Sequence, residues 1–176
     1  WAVFQYDGHS NPTGFVQSLV LPDSLSDIHN SFVRLFIDTL VMPSNLEIDN
    51  TLFTGGVDKA GAVRINHMYC PGAQMQNCSD ALKEAGVDIE PTRYEKTSDG
   101  VMVYDNQGRI VGKYADKNAL GAGKVTETYK YDSAGHLVGI FDGNGQRIWG
   151  KKIYTVEEAM EATKNGDKFH VYLTYK

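Results

Sequence analysis

Two cysteines and a histidine lie close together in the segment HMYCPGAQMQNCSDAL, at His67, Cys70 and Cys78. Cys70 and Cys78 are the two cysteines of the chain, and Pro71 and Gly72 supply a turn between them. An even number of cysteines at short spacing predicts one disulfide, which the chain-entropy model values at roughly 2 to 3 kcal/mol. A disulfide predicts an extracellular, cell-surface or periplasmic location, whereas two buried thiols would suit the cytosol.

The same residues offer two further chemistries. His67, Cys70 and Cys78, with Asp80 as a fourth ligand, are all of types that bind zinc, but their spacing matches no common structural site. Cys70 could also be a thiol nucleophile with a histidine base, and the chain offers His67 nearby and His136 elsewhere. His67, Cys70 and His136 are therefore the candidate catalytic residues of an enzyme hypothesis. We expect the disulfide, with no metal and no cofactor.

Two similar strings, YDNQGRIVG at 104–112 and YDSAGHLVG at 131–139, suggest a repeated unit, and a degenerate copy, FDGNGQ, begins at Phe141. Each copy has an aromatic residue, an aspartate that can bond its own turn backbone and a glycine where φ can be positive. The pattern predicts a β-hairpin in each copy. Asp142 of the third copy also leaves an irregular calcium loop open as an alternative.

The second copy resembles the Tyr-Asp repeat of the RHS family, whose pattern is roughly Tyr-x-Tyr-Asp-x-x-Gly-Arg-Leu. The first copy carries the arginine of this pattern at Arg109, and His136 replaces it in the second. The resemblance covers residues 104 to about 150 and implies an exported protein that uses hairpins as a scaffold. It implies no catalytic residue. The matching residues of the second copy are Tyr129, Tyr131, Asp132, Gly135 and Leu137.

The strongest helix signal is SLSDIHNSFVRLFIDTLV at 24–41, where Asn30, Arg34 and Asp38 recur every four residues as a polar stripe. Apolar side chains fill the rest of the surface, which predicts a long helix buried in the core and stopped by Pro43. Shorter helices are predicted over 77–86 and 155–166. The segment KFHVYLTYK at 168–176 alternates as a half-buried strand does.

These elements predict an α+β fold in which β-rich antiparallel hairpins pack on one long buried helix, with two short helices. A chain of 176 residues is expected to form one domain. A possible division separates a helix-containing core at 1–96 from hairpin repeats and a C-terminal β-α-β segment at 97–176.

Charge and hydropathy argue against two classes of partner. The formal net charge of −5 disfavours a nucleic-acid-binding surface, which needs clustered lysine and arginine. We expect no membrane span in this chain, because no apolar run approaches the ~18 residues required. The start at Trp1, without a signal pattern, suggests a mature or trimmed chain.

Three tyrosines form the candidate binding surface. Tyr129 and Tyr131 share a strand face if the strand alternates, and Tyr172 lies on the outward side of the last predicted strand. Such a surface could contact a sugar or a protein partner, with ordinary cross-strand packing as the alternative.

We therefore predict an exported structural or partner-binding module, which binds a protein partner or associates with itself. A subunit of a surface assembly or filament is one form that such a module can take. The alternative is a small secreted enzyme or toxin domain, for which His67, Cys70 and His136 would be tested first. A stable disulfide would remove the best nucleophile of that alternative.

Overall fold

The computed structural model describes residues 14–25, 28, 35–53, 63–150, 157, 160, 161 and 164. Within this part of the chain, nine strands form one mixed sheet and lie side by side in chain order. The first four pair in parallel, and every later pair is antiparallel. We call β1–β4 the parallel half and β5–β9 the meander. The strands are β1 (Gly14–Val20), β2 (Leu35–Val41), β3 (Val63–Pro71), β4 (Thr92–Thr97), β5 (Gly100–Tyr104), β6 (Ile110–Tyr114), β7 (Val125–Tyr131), β8 (Leu137–Asp142) and β9 (Arg147–Trp149).

Two helices connect strands of this sheet. Helix α1 (Met75–Glu84) follows a 3-10 turn (Gly72–Gln74) between β3 and β4, and it confirms the short helix predicted over 77–86. Helix α2 (Lys117–Gly121) is a single turn between β6 and β7. Residues 157, 160, 161 and 164 are helical and fall within the predicted C-terminal helix.

The long buried helix predicted over 24–41 is wrong, and so is the packing of antiparallel hairpins on it. Residues 35–41 form β2, which lies between β1 and β3. Leu40 is buried on one side of the sheet and Val41 on the other. A strand covered on both faces carries apolar residues in an almost continuous run, which periodicity alone does not distinguish from a buried helix.

The three parallel strands β1–β3 repeat one pattern in register. Leu19, Leu40 and Met68 form one row across the strands, and the next row is Val20, Val41 and Tyr69. A proline stands two residues after the second row in each case. Pro22 and Pro43 lie beyond the ends of β1 and β2, and Pro71 is the last residue of β3.

The connections between the parallel strands cover one face of the sheet. Parallel neighbours need such crossover segments, and here each segment adds side chains to the cluster formed by the inward residues of β1–β3. This first cluster therefore holds the parallel half together. Its contributions from the connections include Leu21, Leu25, Ile28, Met42, Leu46, Ile48, Leu52, Phe53, Ala81, Leu82, Val87 and Ile89.

A second cluster lies on the other face and joins the two halves of the sheet. Val41 of β2 packs there with Tyr94, Val101, Val103 and Leu120. Leu120 belongs to α2, so this short helix reaches back from the meander to the first strands, and it contacts both β1 and β2. The second cluster thus fixes where the meander lies against the parallel half.

Asp23 joins the segment that follows β1 to three others, the segment after β2, the end of β4 and the start of α2. Its carboxylate accepts hydrogen bonds from Lys117 Nζ (2.8 Å), Lys96 Nζ (2.6 Å) and the backbone N–H and hydroxyl of Ser44 (both 2.8 Å). Burial would raise the pKa of the Asp23 carboxyl, but these hydrogen bonds outweigh burial and hold the pKa well below its usual value.

Replacing Asp23 by asparagine should lower the free energy of unfolding by about 2 kcal/mol at pH 7, because two lysines lose their carboxylate. The hydrogen-bonded Asp23 carboxylate contributes its full stability above the ordinary pKa of 3.8, and this contribution is lost progressively as the pH falls from there towards the lower pKa of the folded state. The difference between wild type and Asp23→Asn should therefore shrink between pH 5 and pH 2 in denaturant titrations. The exposed Asp99→Asn is the control, and a pH-independent difference would contradict the assignment.

The three predicted hairpin turns are confirmed and have the same hydrogen bonds. Asp105 Oδ1 accepts the backbone N–H groups of Gln107 and Arg109, both at 2.9 Å. Asp132 and Asp142 accept the equivalent pairs of N–H groups at 2.8 to 2.9 Å. The glycine of each turn has a positive φ, at 76° for Gly108, 84° for Gly135 and 80° for Gly145.

Replacing Gly108 by alanine should lower the free energy of unfolding by about 1 kcal/mol, because a Cβ at positive φ is strained. No atom lies within 4 Å of the added Cβ, so the cost comes from the backbone alone. Gly108→Asn should cost less, since asparagine tolerates the left-handed region. Equal losses for both variants in chemical denaturation would contradict this origin.

Candidate binding surface and predicted catalytic residues

Cys70 and Cys78 form the predicted disulfide. It joins the end of β3 to α1, and both residues are fully buried in the first cluster. Neither sulfur is therefore available as a thiolate nucleophile or as a zinc ligand in this oxidised state. The enzyme hypothesis loses its candidate nucleophile, Cys70.

The two candidate histidines lie in different surroundings from Cys70 and from each other. His67 is exposed on β3, opposite Thr39 of β2, whereas Cys70 points into the first cluster. His136 is exposed in the turn between β7 and β8, with Nδ1 3.3 Å from Asp132 Oδ2. The contacts of His136 are therefore those of its own hairpin turn.

An acidic cleft lies between α1 and the connection that follows β2. No group of three or more histidine, cysteine, aspartate or glutamate residues in the described ranges is arranged to hold a metal ion. The cleft is lined by Ile48, Asp49, Asn50, Asn77, Asp80, Lys83 and Glu84.

No helix within the described ranges is both long and apolar enough to cross a membrane.

The meander carries a row of large side chains across three adjacent strands. Tyr129 of β7 lies opposite Ile140 of β8, which lies opposite Trp149 of β9. Residues directly opposite one another share a face of the sheet, so we call these three the aromatic row. The side chains of Tyr129 and Ile140 are half-buried, while Trp149 at the outermost described strand is 52% exposed.

Tyr129 is held in place by a hydrogen bond to its own strand. Its hydroxyl donates to Glu127 Oε2 at 2.6 Å. Burial first, and then this bond and the charge of Glu127, raise the pKa of Tyr129 to about 12. The hydrogen bond to Glu127 holds the Tyr129 hydroxyl on its own strand, in register with Ile140 of β8.

Tyr131 has a different environment from Tyr129. The register shifts between Lys130 and Tyr131, and the Tyr131 hydroxyl donates to the backbone oxygen of Ile110 at 2.7 Å. The Arg109 guanidinium lies 4.7 Å from the centre of its ring and also bonds Asp105 through Nε at 2.8 Å. Tyr131 thus connects the second hairpin to the first. Tyr172 lies outside the described residues.

A cation covers the first aromatic residue of each repeat copy. Arg93 lies 4.2 Å from the ring centre of Tyr104, and Lys130 and Arg147 each lie 4.8 Å from that of Phe141. Such contacts stabilise exposed sites by about 0.5 to 1 kcal/mol each. These aromatic residues therefore contribute to the internal packing of the meander.

Ile140 and Trp149 are not among the surface residues that the sequence predicts. The third repeat copy was the available signal, because a hairpin there requires a returning strand that begins soon after Gly145 and includes Trp149.

Comparisons with protein-family models, curated proteins and solved structures find no match to this chain. The relation to the RHS repeat remains the resemblance carried by residues 104 to about 150.

Proposed function

We propose that this protein is an exported, partner-binding module and that the aromatic row of the meander is its binding surface. The row of Tyr129, Ile140 and Trp149 is the observation that carries this proposal. Tryptophan and tyrosine are enriched among the few residues that dominate binding energy at protein interfaces. Trp149 also has half of its surface open to solvent, so a partner would bury a large apolar area there.

Export is supported by the disulfide. Disulfides persist in secreted, surface and periplasmic proteins and are rare in the cytosol, where thiols are kept reduced. The Cys70–Cys78 bond lies in the first cluster, where it fixes α1 to the sheet. We assign it a structural role, suited to a protein that works outside the cytosol.

A structural role on the cell surface is supported by the three equivalent hairpin turns. Their shared hydrogen bonds, and the cations that cover their aromatic residues, make a scaffold of the kind that the RHS resemblance implies. A subunit of a surface assembly would use this scaffold to present the aromatic row. The alternative of a secreted enzyme or toxin domain gains no support from the surroundings of His67, Cys70 and His136.

Export can be tested by the state of the cysteines in the cells that make the protein. Trapping free thiols with a maleimide-linked polymer should leave the chain from the extracellular or envelope fraction unshifted until it is reduced. A chain found in the cytosol with two reactive thiols would overturn the proposal.

Loss of the disulfide should lower stability without changing the meander. The Cys70→Ala/Cys78→Ala variant should lose about 2 to 3 kcal/mol of unfolding free energy, as loop closure predicts. Reductant should destabilise the wild type by a similar amount and leave the variant unchanged, which serves as the matched control. A reductant effect on the variant would mean that the loss has another cause.

Binding through the aromatic row can be tested by photo-crosslinking in the producing cells. A benzophenone amino acid in place of Trp149 should give a discrete product of higher mass in the extracellular or envelope fraction. The same group in place of Lys124, which is also exposed, should not. Once the partner is purified, Trp149→Ala should weaken its binding at least tenfold, as expected for a central aromatic contact. Equal crosslinking at both positions, or binding unchanged by Trp149→Ala, would contradict this surface.

A further inference from the structure

Strand β1 carries core-type side chains at the end of the parallel stack. Val16 is in register with Ile37 of β2, which is in register with Ile65 of β3. Ile37 and Ile65 are 0% and 4% exposed, whereas Val16 is only half-buried. Leu19 differs from its partner Leu40 in the same way. The apolar positions of β2 and β3 thus recur in β1, but the side chains of β1 are less buried than those of the other two strands.

The composition of β1 favours pairing with another strand. The segment GFVQSLVLP at 14–22 contains no charged residue. Phe15 is 61% exposed and packs on Phe36 with 5.0 Å between ring centres. Edge strands are commonly protected from pairing by charge, by proline within the strand or by short length. β1 is seven residues long and has none of these features, and no other strand of the described sheet borders its outer edge.

The other end of the described sheet provides a contrast. β9 is three residues long and contains Arg147, whose guanidinium packs on Phe141 and donates to the backbone oxygen of Val138 at 2.9 Å. A short strand with a charged residue is a poor template for pairing. The two ends of the described sheet therefore differ, and β1 is the better candidate for strand addition.

We propose that β1 pairs with β1 of a second copy of this chain, so that two sheets become one continuous sheet in a two-fold symmetric dimer. A two-fold axis places each side chain of β1 opposite β1 of the partner, and like charges there would repel. Because β1 is uncharged, that repulsion is absent. The new interface would extend the β1–β2 packing by one strand and cover Val16 and Leu19. This dimer rests on the proposed function, because it names a second copy of the chain as one partner. The second copy would bind at β1, at the opposite end of the described sheet from the aromatic row.

The test is the mass of the full-length, oxidised protein between about 1 and 100 µM, measured by sedimentation velocity. We expect a reversible equilibrium between the chain and twice its mass. Placing lysines at the exposed positions, with Phe15→Lys/Gln17→Lys, should raise the dimer dissociation constant at least tenfold, because four like charges meet across the axis. Circular dichroism and the denaturation midpoint identify any loss of folding. Ile148→Lys, which places a lysine at an exposed position of β9, is the matched control and should leave the dimer unchanged.

A charge-reversed variant makes the test independent of any folding defect. Phe15→Glu/Gln17→Glu should also be monomeric alone, and an equimolar mixture with the lysine variant should restore a species of dimer mass. A monomer at 100 µM, an oligomer that grows without limit, or a dimer lost through Ile148→Lys or Trp149→Ala would each overturn the β1 proposal. Crosslinking at position 149 is read out separately, so failure of this dimer and failure of the proposed partner surface can be distinguished.

Discussion

Burial of β2 on both faces is the interaction on which the rest of the molecule depends. Leu40 packs in the cluster that closes the parallel half, and its neighbour Val41 packs in the cluster that receives the meander. Both clusters depend on this strand. Ile37 and Leu40 belong to the first cluster, and Val41 packs with Leu120 of α2 in the second. The two halves of the sheet are therefore coupled by alternate side chains of one strand. Tyr94 strengthens the coupling, since its hydroxyl donates to the backbone oxygen of Met42 beside it.

Charge plays a positional role around this apolar arrangement. Asp23 draws Lys96 and Lys117 towards the end of β1, so the hairpin between β4 and β5 and the start of α2 meet at one carboxylate. The pairing is only partly open to solvent, and Lys117 also donates to the backbone oxygen of Leu21 at 2.6 Å. An ion pair with such neighbours stabilises one arrangement of the segments over others. Apolar burial supplies the cohesion, and Asp23 helps to set the geometry.

The meander is built from local interactions that recur at each turn. Each aspartate satisfies two backbone N–H groups of its own turn, and the first turn is tied to the second by Arg109 on Tyr131. These local hydrogen bonds order each turn, and large side chains lie on the strands between the turns. Trp149 lies on β9, the outermost strand of the described part of the sheet, and is 52% exposed. The same scaffold thus accounts for both the order of the meander and the row of large side chains across its last three strands.

The sequence by itself determined the features that depend on near neighbours. An aspartate with a glycine three residues later forms the same turn in all three repeat copies, and two cysteines eight residues apart can meet across one short connection. Tertiary structure alone decided the rest. Residues 35–41 carry an apolar run that fits a helix or a strand, and only the neighbours on both faces select the strand. Tyr129, Ile140 and Trp149 become a surface only when three strands pair in one register, and His67 is kept from Cys70 because the two lie on opposite faces of β3.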